Sequence, residues 1–598
     1  MFQTFLSEAD PSTGAARLAA LRARLAAEGL DGFLVPRADV YQGEYVAARD
    51  ERLRWLTGFT GSAGFCVVLP EVAGVFVDGR YRVQVKAQVD LAVFTPVNWP
   101  EVLPGPWIAE HLAAGVVGFD PWLHTADEVA KLEVALAGSG VVLRPVRNMV
   151  DAVWPEQPEP PAGRAFAHPL ELAGEAAVDK CARLAAGLRQ AGQRAAVITL
   201  PDSLCWLLNL RGADVPRNPV LQGFALLQDD GAVDLFADAA KFTPDLLEDL
   251  GPMVRLHDPQ GFAAALAALP GPVRVDRGSA PLAVSQILQE AGVAVAWDDD
   301  PCRIPKACKN AVEIEAMRQA HLRDGAAVVR FLAWLDEAGP QGGLTEIAVV
   351  EALEGFRRDT NMLHDLSFDT ICGAGPDGAI IHYRVTEATD RAVKPGELLL
   401  VDSGAQYRDG TTDITRTLGI GAVGQEAREC YTRVLQGMIA ISRARFPRGL
   451  AGRDIDALAR APLWLAGMDY DHGTGHGVGA FLSVHEGPQR ISRLSEVALA
   501  PGMILSNEPG YYREGAFGIR LENLIVVQEA PALGDNRAQL SFETLTFAPF
   551  DRRLVVAEML SPGERAWWNA YHAEVLVKIG PRVEPAVRDW LESACAPL

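Results

Sequence analysis

Five residues able to ligate a metal, Asp402, Asp413, His476, Glu508 and Glu522, stand in the last third of this 598-residue chain, inside glycine-rich or strand-like segments. Four are carboxylates and one is an imidazole. Four ionised carboxylates gathered in one dry site repel one another and are costly to desolvate. Two divalent cations would cancel that charge and leave the histidine as a neutral ligand. A fold that collects these five is therefore expected to close around a two-metal site, where a water-derived hydroxide between the metals is the natural nucleophile. The hard oxygen set suits Mn²⁺, and the imidazole also admits Co²⁺ or Zn²⁺.

The local patterns agree. Leu398 to Val401 is a buried-strand run ending at Asp402. The stretch 406–410 (QYRDG) reads as a hairpin turn and Thr411 to Leu418 as the returning strand, which brings Asp402 and Asp413 onto adjacent strands. Aspartate is depleted in strand interiors, so two of them there need a reason. A solvated edge hairpin with ordinary surface acids is the competing reading of this segment by itself. The segment 472–479 (HGTGHGVG) has too many glycines for a zincin helix, and its glycines let the backbone approach a ligand closely. His485 follows nine residues after His476. Glu508 precedes the turn pair Pro509-Gly510 at the end of an apolar run, 503–506. Glu522 sits within 519–527, an apolar strand pattern in which a buried acid needs a partner.

The ordered set, in VDSGAQYRDGTTDITRT, HGTGHGVG, SNEPGYY and GIRLEN, resembles the pita-bread metallopeptidases, the family of methionine aminopeptidase, prolidase and aminopeptidase P. Further segments are similar to the long, three-domain Xaa-Pro aminopeptidases: KNAVEIE (309–315) with Met317-Arg318, His321, Arg323-Asp324-Gly325, LSFDTI (366–371), GAGP (373–376) and AIIHY (379–383). The likeness starts near residue 15, runs through essentially the whole chain, and is densest over 304–550. It implies that the five residues hold two metals and that Glu508 is also the general base relaying a proton to the leaving amine. It implies that His382, His472 and His485 steady the scissile carbonyl and developing charge, or flank the pocket that accepts proline. Arg520 would form a salt bridge that orients the ligands, and Tyr512 would line the same pocket. Taken without the family, His382 beside Tyr383 reads equally as a satisfied core histidine, and Arg520 as a plain strand-edge cation. His321 and His364 are read as structural. No G-x-S-x-G, P-loop or nucleotide fingerprint is present.

Length and composition set the frame. Hydrophobic residues make up 49% and charged residues 22%, ordinary for a soluble globular chain. A net charge of −22 disfavours nucleic acid or an anionic membrane surface as a partner. Eight scattered cysteines with no CxxC pair suit a reducing compartment, hence the cytoplasm. Neither a signal peptide nor a membrane span is expected.

The expected fold is α/β (α+β): two α/β domains like the creatinase N-terminal domain, followed by a pita-bread catalytic domain. Residues 13–30 read as an amphipathic helix leading into a strand, and Val178 to Gly192 as a second helix leading into 195–200, an imperfect repeat. The Pro-rich 155–162 reads as a linker, and a second break falls near 298–305. The expected boundaries are 1–160, 161–303 and 304–598, with a C-terminal tail from about 540. Trp567 and Trp568 in that tail are core residues or interface anchors.

The resemblance thus implies a metal-dependent aminopeptidase that removes the first residue from peptides with proline second, acting as a homodimer. Prolidase, which cleaves only Xaa-Pro dipeptides, is the alternative. Metal-free relatives, including creatinase-like hydrolases and binding modules, should lack some of the five ligands, and all five are present here.

Overall fold

The computed structural model describes residues 1–534 and 536–598, which form two compact units: Glu8–Lys306, and Ala307–Leu598 together with Met1–Ser7. In the first unit, helices Gly14–Ala27 and Ala177–Gln190 each precede a central strand, as the repeat reading requires. Leu18, Leu21 and Leu25 follow helical spacing and are buried. Gly32–Pro36 pairs antiparallel with Phe65–Val68 on one side and parallel with Gly115–Phe119 on the other. Ala195–Ile198 repeats this arrangement with Phe224–Gln228 and Val273–Val275. Each strand centres a six-stranded mixed sheet with the same order of neighbours. The repeat is therefore one of topology. Trp55 and Trp206, the faint echo in the sequence, both lie on short helices, Arg52–Thr57 and Pro201–Leu207.

The second unit opens with the long helix Ala311–Ala338. Its capping box joins Asn310 and Glu313 and satisfies the first free N–H groups. This helix and Glu346–Arg358, Gln425–Ser442 and Pro562–Ile579 share a core with the antiparallel sheet of Ile371–Ala374, Leu398–Ser403 and Ile414–Gly419. A six-stranded sheet carries Gly475–Gly477, Ile504–Asn507 and Asn523–Ala530. Trp568 is fully buried in this core, and Trp567 stacks on Tyr571. His572 is also a core residue: its Nδ1 donates to the Trp568 carbonyl, and its Nε2 accepts the Phe550 N–H.

Two details differ from the sequence reading. Gln406 and Tyr407 are strand residues, Ala405–Tyr407, paired with Gly410–Thr411, so the turn proper is Arg408-Asp409. The chain changes sheet at Gly404, where an added Cβ would collide with Ser367 Oγ and the Thr412 carbonyl. The returning strand is likewise interrupted at Thr412-Asp413 and resumes at Ile414. Glu522 does not lie inside a continuous strand. It occupies a break between Phe517–Arg520 and Asn523–Ala530, where the chain leaves one pairing for another. Apolar periodicity runs through both interruptions because the residues stay buried while their hydrogen-bond partners change.

Candidate metal centre

Register explains the first pair of acids. Asp402 lies opposite Thr415 in the antiparallel ladder, and alternate residues share a face. Asp413, two residues before Thr415, thus comes to the face that carries Asp402. Both side chains are buried. Thr412 secures the break that precedes Asp413: its N–H donates to the Ala405 carbonyl at 2.8 Å, and its hydroxyl to Asp324 Oδ2 at 3.0 Å.

The third ligand candidate enters on Gly475–Gly477. A Cβ on Gly475 would strike the Ser506 carbonyl, so glycine there lets His476 approach the neighbouring strand. His476 Nδ1 donates to the Gly477 carbonyl at 2.9 Å. In the neutral ring that leaves Nε2 with its lone pair, 3.5 Å from Asp413 Oδ2 and 3.5 Å from Glu508 Oε1. A carbonyl partner of this kind fixes the tautomer a metal requires. Glu508 is held by its own N–H on the Thr474 carbonyl at 2.8 Å and by the Ser506 hydroxyl on Oε1 at 3.1 Å. Glu522 accepts the Thr415 hydroxyl on Oε2 at 2.8 Å.

The donor set fits a metal. One ligand atom from each of Asp413, His476 and Glu522 lies within 4.8 Å of the other two. Asp402 Oδ1, Asp413 Oδ1 and Glu522 Oε1 are buried with no hydrogen-bond partner. Such orphaned anionic oxygens are costly unless a cation meets them. The electrostatics say the same. Burial pushes the Glu522 carboxyl well above its usual range, and the charges of Asp413, Glu508 and Asp402 push it further. Burial also raises Asp402 and Glu508, while Arg520 opposes the rise at Asp402, as His476 and Arg520 do at Glu508. His476 is lowered by burial but carried up to about 9 by Asp413 and Glu508. The cluster holds protons where divalent charge would release them.

A chain of hydrogen bonds joins Asp402 to a histidine outside the ligand set. Arg520 Nη2 donates to Asp402 Oδ2 at 2.6 Å, and Nη1 to the Tyr512 hydroxyl oxygen at 2.7 Å. Tyr512 lies 2.9 Å from His472 Nε2, whose Nδ1 donates to the Gly473 carbonyl at 2.8 Å. With Nδ1 as the donor, a neutral His472 ring accepts the Tyr512 proton at Nε2. Arg520 is fully buried, not a strand-edge cation. His485 packs edge-on against the His476 ring, centroids 4.3 Å apart. His382 is drawn in through its backbone, since Arg520 Nη2 also donates to the Ile381 carbonyl at 3.3 Å. His321 is buried with Nδ1 on the Met317 carbonyl, and His364 packs edge-on against Phe481.

Aminopeptidase P2 of Arabidopsis thaliana is 40% identical over 95% of this chain and 86% of its own length. The probable Xaa-Pro aminopeptidase P of Talaromyces stipitatus is 37% identical over 99% and 94%. This chain belongs to the aminopeptidase P family. Within it, residues 315–529 match metallopeptidase family M24, and 538–598 match the C-terminal region of that peptidase. Residues 17–153 and 156–313 each match the creatinase/prolidase N-terminal domain. The X-prolyl aminopeptidase of Caenorhabditis elegans, described as a cytosolic enzyme with a di-nuclear active site, superimposes with a TM-score of 0.93 at 33% identity. That match covers 98% of this chain and 100% of the nematode one.

Sequence reasoning missed several residues that shape this aminopeptidase P family site. Asp324, Thr412, Thr415 and Ser506 each hold a ligand or its neighbour, as the bonds above describe. Arg416, fully buried, donates to the Glu522 carbonyl at 2.6 Å and to the Ala548 carbonyl at 2.7 Å, tying the last ligand to the C-terminal region. One signal was available: Asp324 sits among Gly325, Ala326, Ala327 and Val328 on the long helix, where an unpaired acid would be out of place.

Proposed function

We propose that this chain is a metal-dependent aminopeptidase that releases the N-terminal residue from peptides with proline at position two. The observation that carries the reading is the convergence of orphaned oxygens from Asp402, Asp413 and Glu522 in one cluster with His476 Nε2 and Glu508. Those five residues would hold two divalent ions, Mn²⁺ by the hardness of the set, with Co²⁺ or Zn²⁺ admitted. When bound, the ions supply Lewis-acid polarisation of the scissile carbonyl and a water acidic enough to attack at neutral pH.

The chain's own residues do the rest. Glu508, anchored by Ser506 and Thr474, takes a proton from the attacking water and delivers it to the leaving proline nitrogen. Arg520 aligns Asp402 and opposes the burial that favours its protonation, and Tyr512 ties Arg520 to His472. His382, His472 and His485 would steady developing charge or flank the proline ring. An Xaa-Pro amide has no N–H to offer, so a pocket shaped for the ring must replace that donor in recognition.

The division into 1–160, 161–303 and a catalytic part from 304, with a tail from about 540, is supported by the family intervals, which break at 153/156, 313/315 and 529/538. A cytoplasmic home is supported by eight unpaired cysteines and by the description of the nematode enzyme. Among the described residues no helix is long and apolar enough to cross a membrane. The homodimer rests on the family resemblance, and a sedimentation mass of one chain would remove it.

The test is hydrolysis of Arg-Pro-Pro, Ala-Pro and Ala-Ala-Ala after metal removal and Mn²⁺ add-back. Metal-dependent release of arginine from the tripeptide supports the aminopeptidase reading. Cleavage of Ala-Pro alone would move the chain to the prolidases. No hydrolysis with metal bound would overturn both.

A further inference from the structure

Glu346, the first residue of the helix Glu346–Arg358, is completely buried and takes no part in the metal centre. Its Oε1 accepts the Ala374 N–H at 2.7 Å. Its Oε2 lies 2.9 Å from the Tyr383 hydroxyl and accepts the Arg391 N–H at 3.3 Å. These three partners stand at the start, middle and end of one segment, 374–391. Beyond Ala374 that segment has no strand, and its only helical turn is the short Gly375–Ala379. Without ladder hydrogen bonds, a stretch of this length would sample many backbone states at an entropic cost to any single one.

His382 sits in the middle of this segment, with a restraint on either side. On one side Arg520, already bound to Asp402, holds the Ile381 carbonyl. On the other the Tyr383 hydroxyl meets Glu346 Oε2 at 2.9 Å, with the Thr389 carbonyl 3.1 Å away. The helix start is itself locked to the far end of the segment. The Glu346 N–H donates to the Arg391 carbonyl at 3.0 Å, and the Ile347 N–H donates to Asp390 Oδ1 at 3.0 Å. One carboxyl group thus reaches both ends and the centre of the span that carries a candidate catalytic histidine.

We propose that Glu346 is a positioning residue, with Tyr383 as its hand, that sets the placement of His382 at the metal centre. The proposal rests on the catalytic reading of His382 given above. Carboxyl reach is the operative property: shortening the arm by one methylene prevents Ala374, Tyr383 and Arg391 from being held together.

The experiment is a double-mutant cycle on the metal-loaded, full-length protein, using Arg-Pro-Pro. Glu346→Asp and Tyr383→Phe should each lower kcat about 10-fold with KM within about two-fold and metal content unchanged, the pattern of a lost transition-state interaction. In a His382→Ala background the same two substitutions should cost less than about two-fold, since residues acting through one another are non-additive. Full-sized losses persisting in that background would overturn the proposal, as would wild-type turnover of both variants while His382→Ala is impaired. Unimpaired His382→Ala would instead overturn the reading of His382, and Glu346 as its positioner with it. Should Glu346→Asp not fold, Glu346→Gln, which keeps the arm's length but replaces one carboxylate oxygen by an amide, takes its place in the cycle, because Tyr383→Phe by itself also removes the bond to the Thr389 carbonyl.

Discussion

Thr412 gives its hydroxyl proton to Asp324 Oδ2 at 3.0 Å, one residue before the candidate ligand Asp413. Asp324 is clamped in turn by Arg357, whose Nε and Nη2 donate at 2.9 and 3.1 Å, and it accepts the Tyr407 hydroxyl at 2.9 Å. Burial pushes the Asp324 carboxyl up, but Arg357 and these hydroxyls hold it below its usual range. A buried ion pair between two helices therefore fixes the strand break on which one ligand depends. Thr412→Val keeps the shape and removes the hydroxyl. Metal affinity should fall about 10-fold, as for other partners behind a ligand, with a stability loss of about 1–3 kcal/mol from the lost bond to a charged acceptor, which keeps Arg357. Calorimetric titration of the metal-free protein would show the first and its thermal unfolding the second. Unchanged affinity would mean that Asp413 finds its place without this support.

Arg520 serves Asp402, Tyr512 and the Ile381 carbonyl at once. Lysine keeps the charge but lacks the planar fork that reaches several acceptors. Arg520→Lys should therefore lower metal affinity or turnover about 10- to 100-fold. Tyr512→Phe removes the bonds to Arg520 and His472, each worth about 1 kcal/mol, but leaves the Arg520–Asp402 pair in place and should cost less than Arg520→Lys. Equal losses in the two variants would contradict this ordering.

Glu508→Gln preserves size and one oxygen but cannot accept a proton. Turnover should drop about 10²- to 10⁴-fold, the usual worth of a general base, with the fold intact by circular dichroism. Near-normal turnover would remove Glu508 from that role.

The metal-free protein should lose stability as pH rises. Burial raises Asp402 and Glu508 from their ordinary values and Glu522 well above its own, and Asp413 and Glu508 raise His476 from 6.5 to about 9. In each case the folded state binds the proton more tightly than the unfolded chain. The stabilisation is complete below the unfolded pKa and disappears as pH climbs through the folded one. With chelator present, Tm should fall from about pH 5 to pH 9, within the window set by these groups. Saturating Mn²⁺ should reverse the slope, because metal binding favours the deprotonated ligands. A chelated protein whose Tm rises over this range would contradict the clustering of these groups.

The identities and order of the five candidate ligands were legible in the sequence, because carboxylates in apolar strand runs and a histidine between glycines are local anomalies. The paired α/β units were legible for the same reason: Gly14–Ala27 and Ala177–Gln190 each lead into a strand of matching pattern. Continuity was misread at 406–413 and at Glu522, since apolar periodicity reports burial and not which strand supplies the hydrogen bonds. Only the tertiary structure decided that Asp324 answers to Thr412 across 88 residues, that Arg520 answers to Asp402 across 118, and that Glu346 holds both ends of the segment around His382. Buried polar groups are satisfied by whatever donor the packing brings near, so an acid among small apolar residues, as at Asp324, shows that a partner is needed but not which one it is.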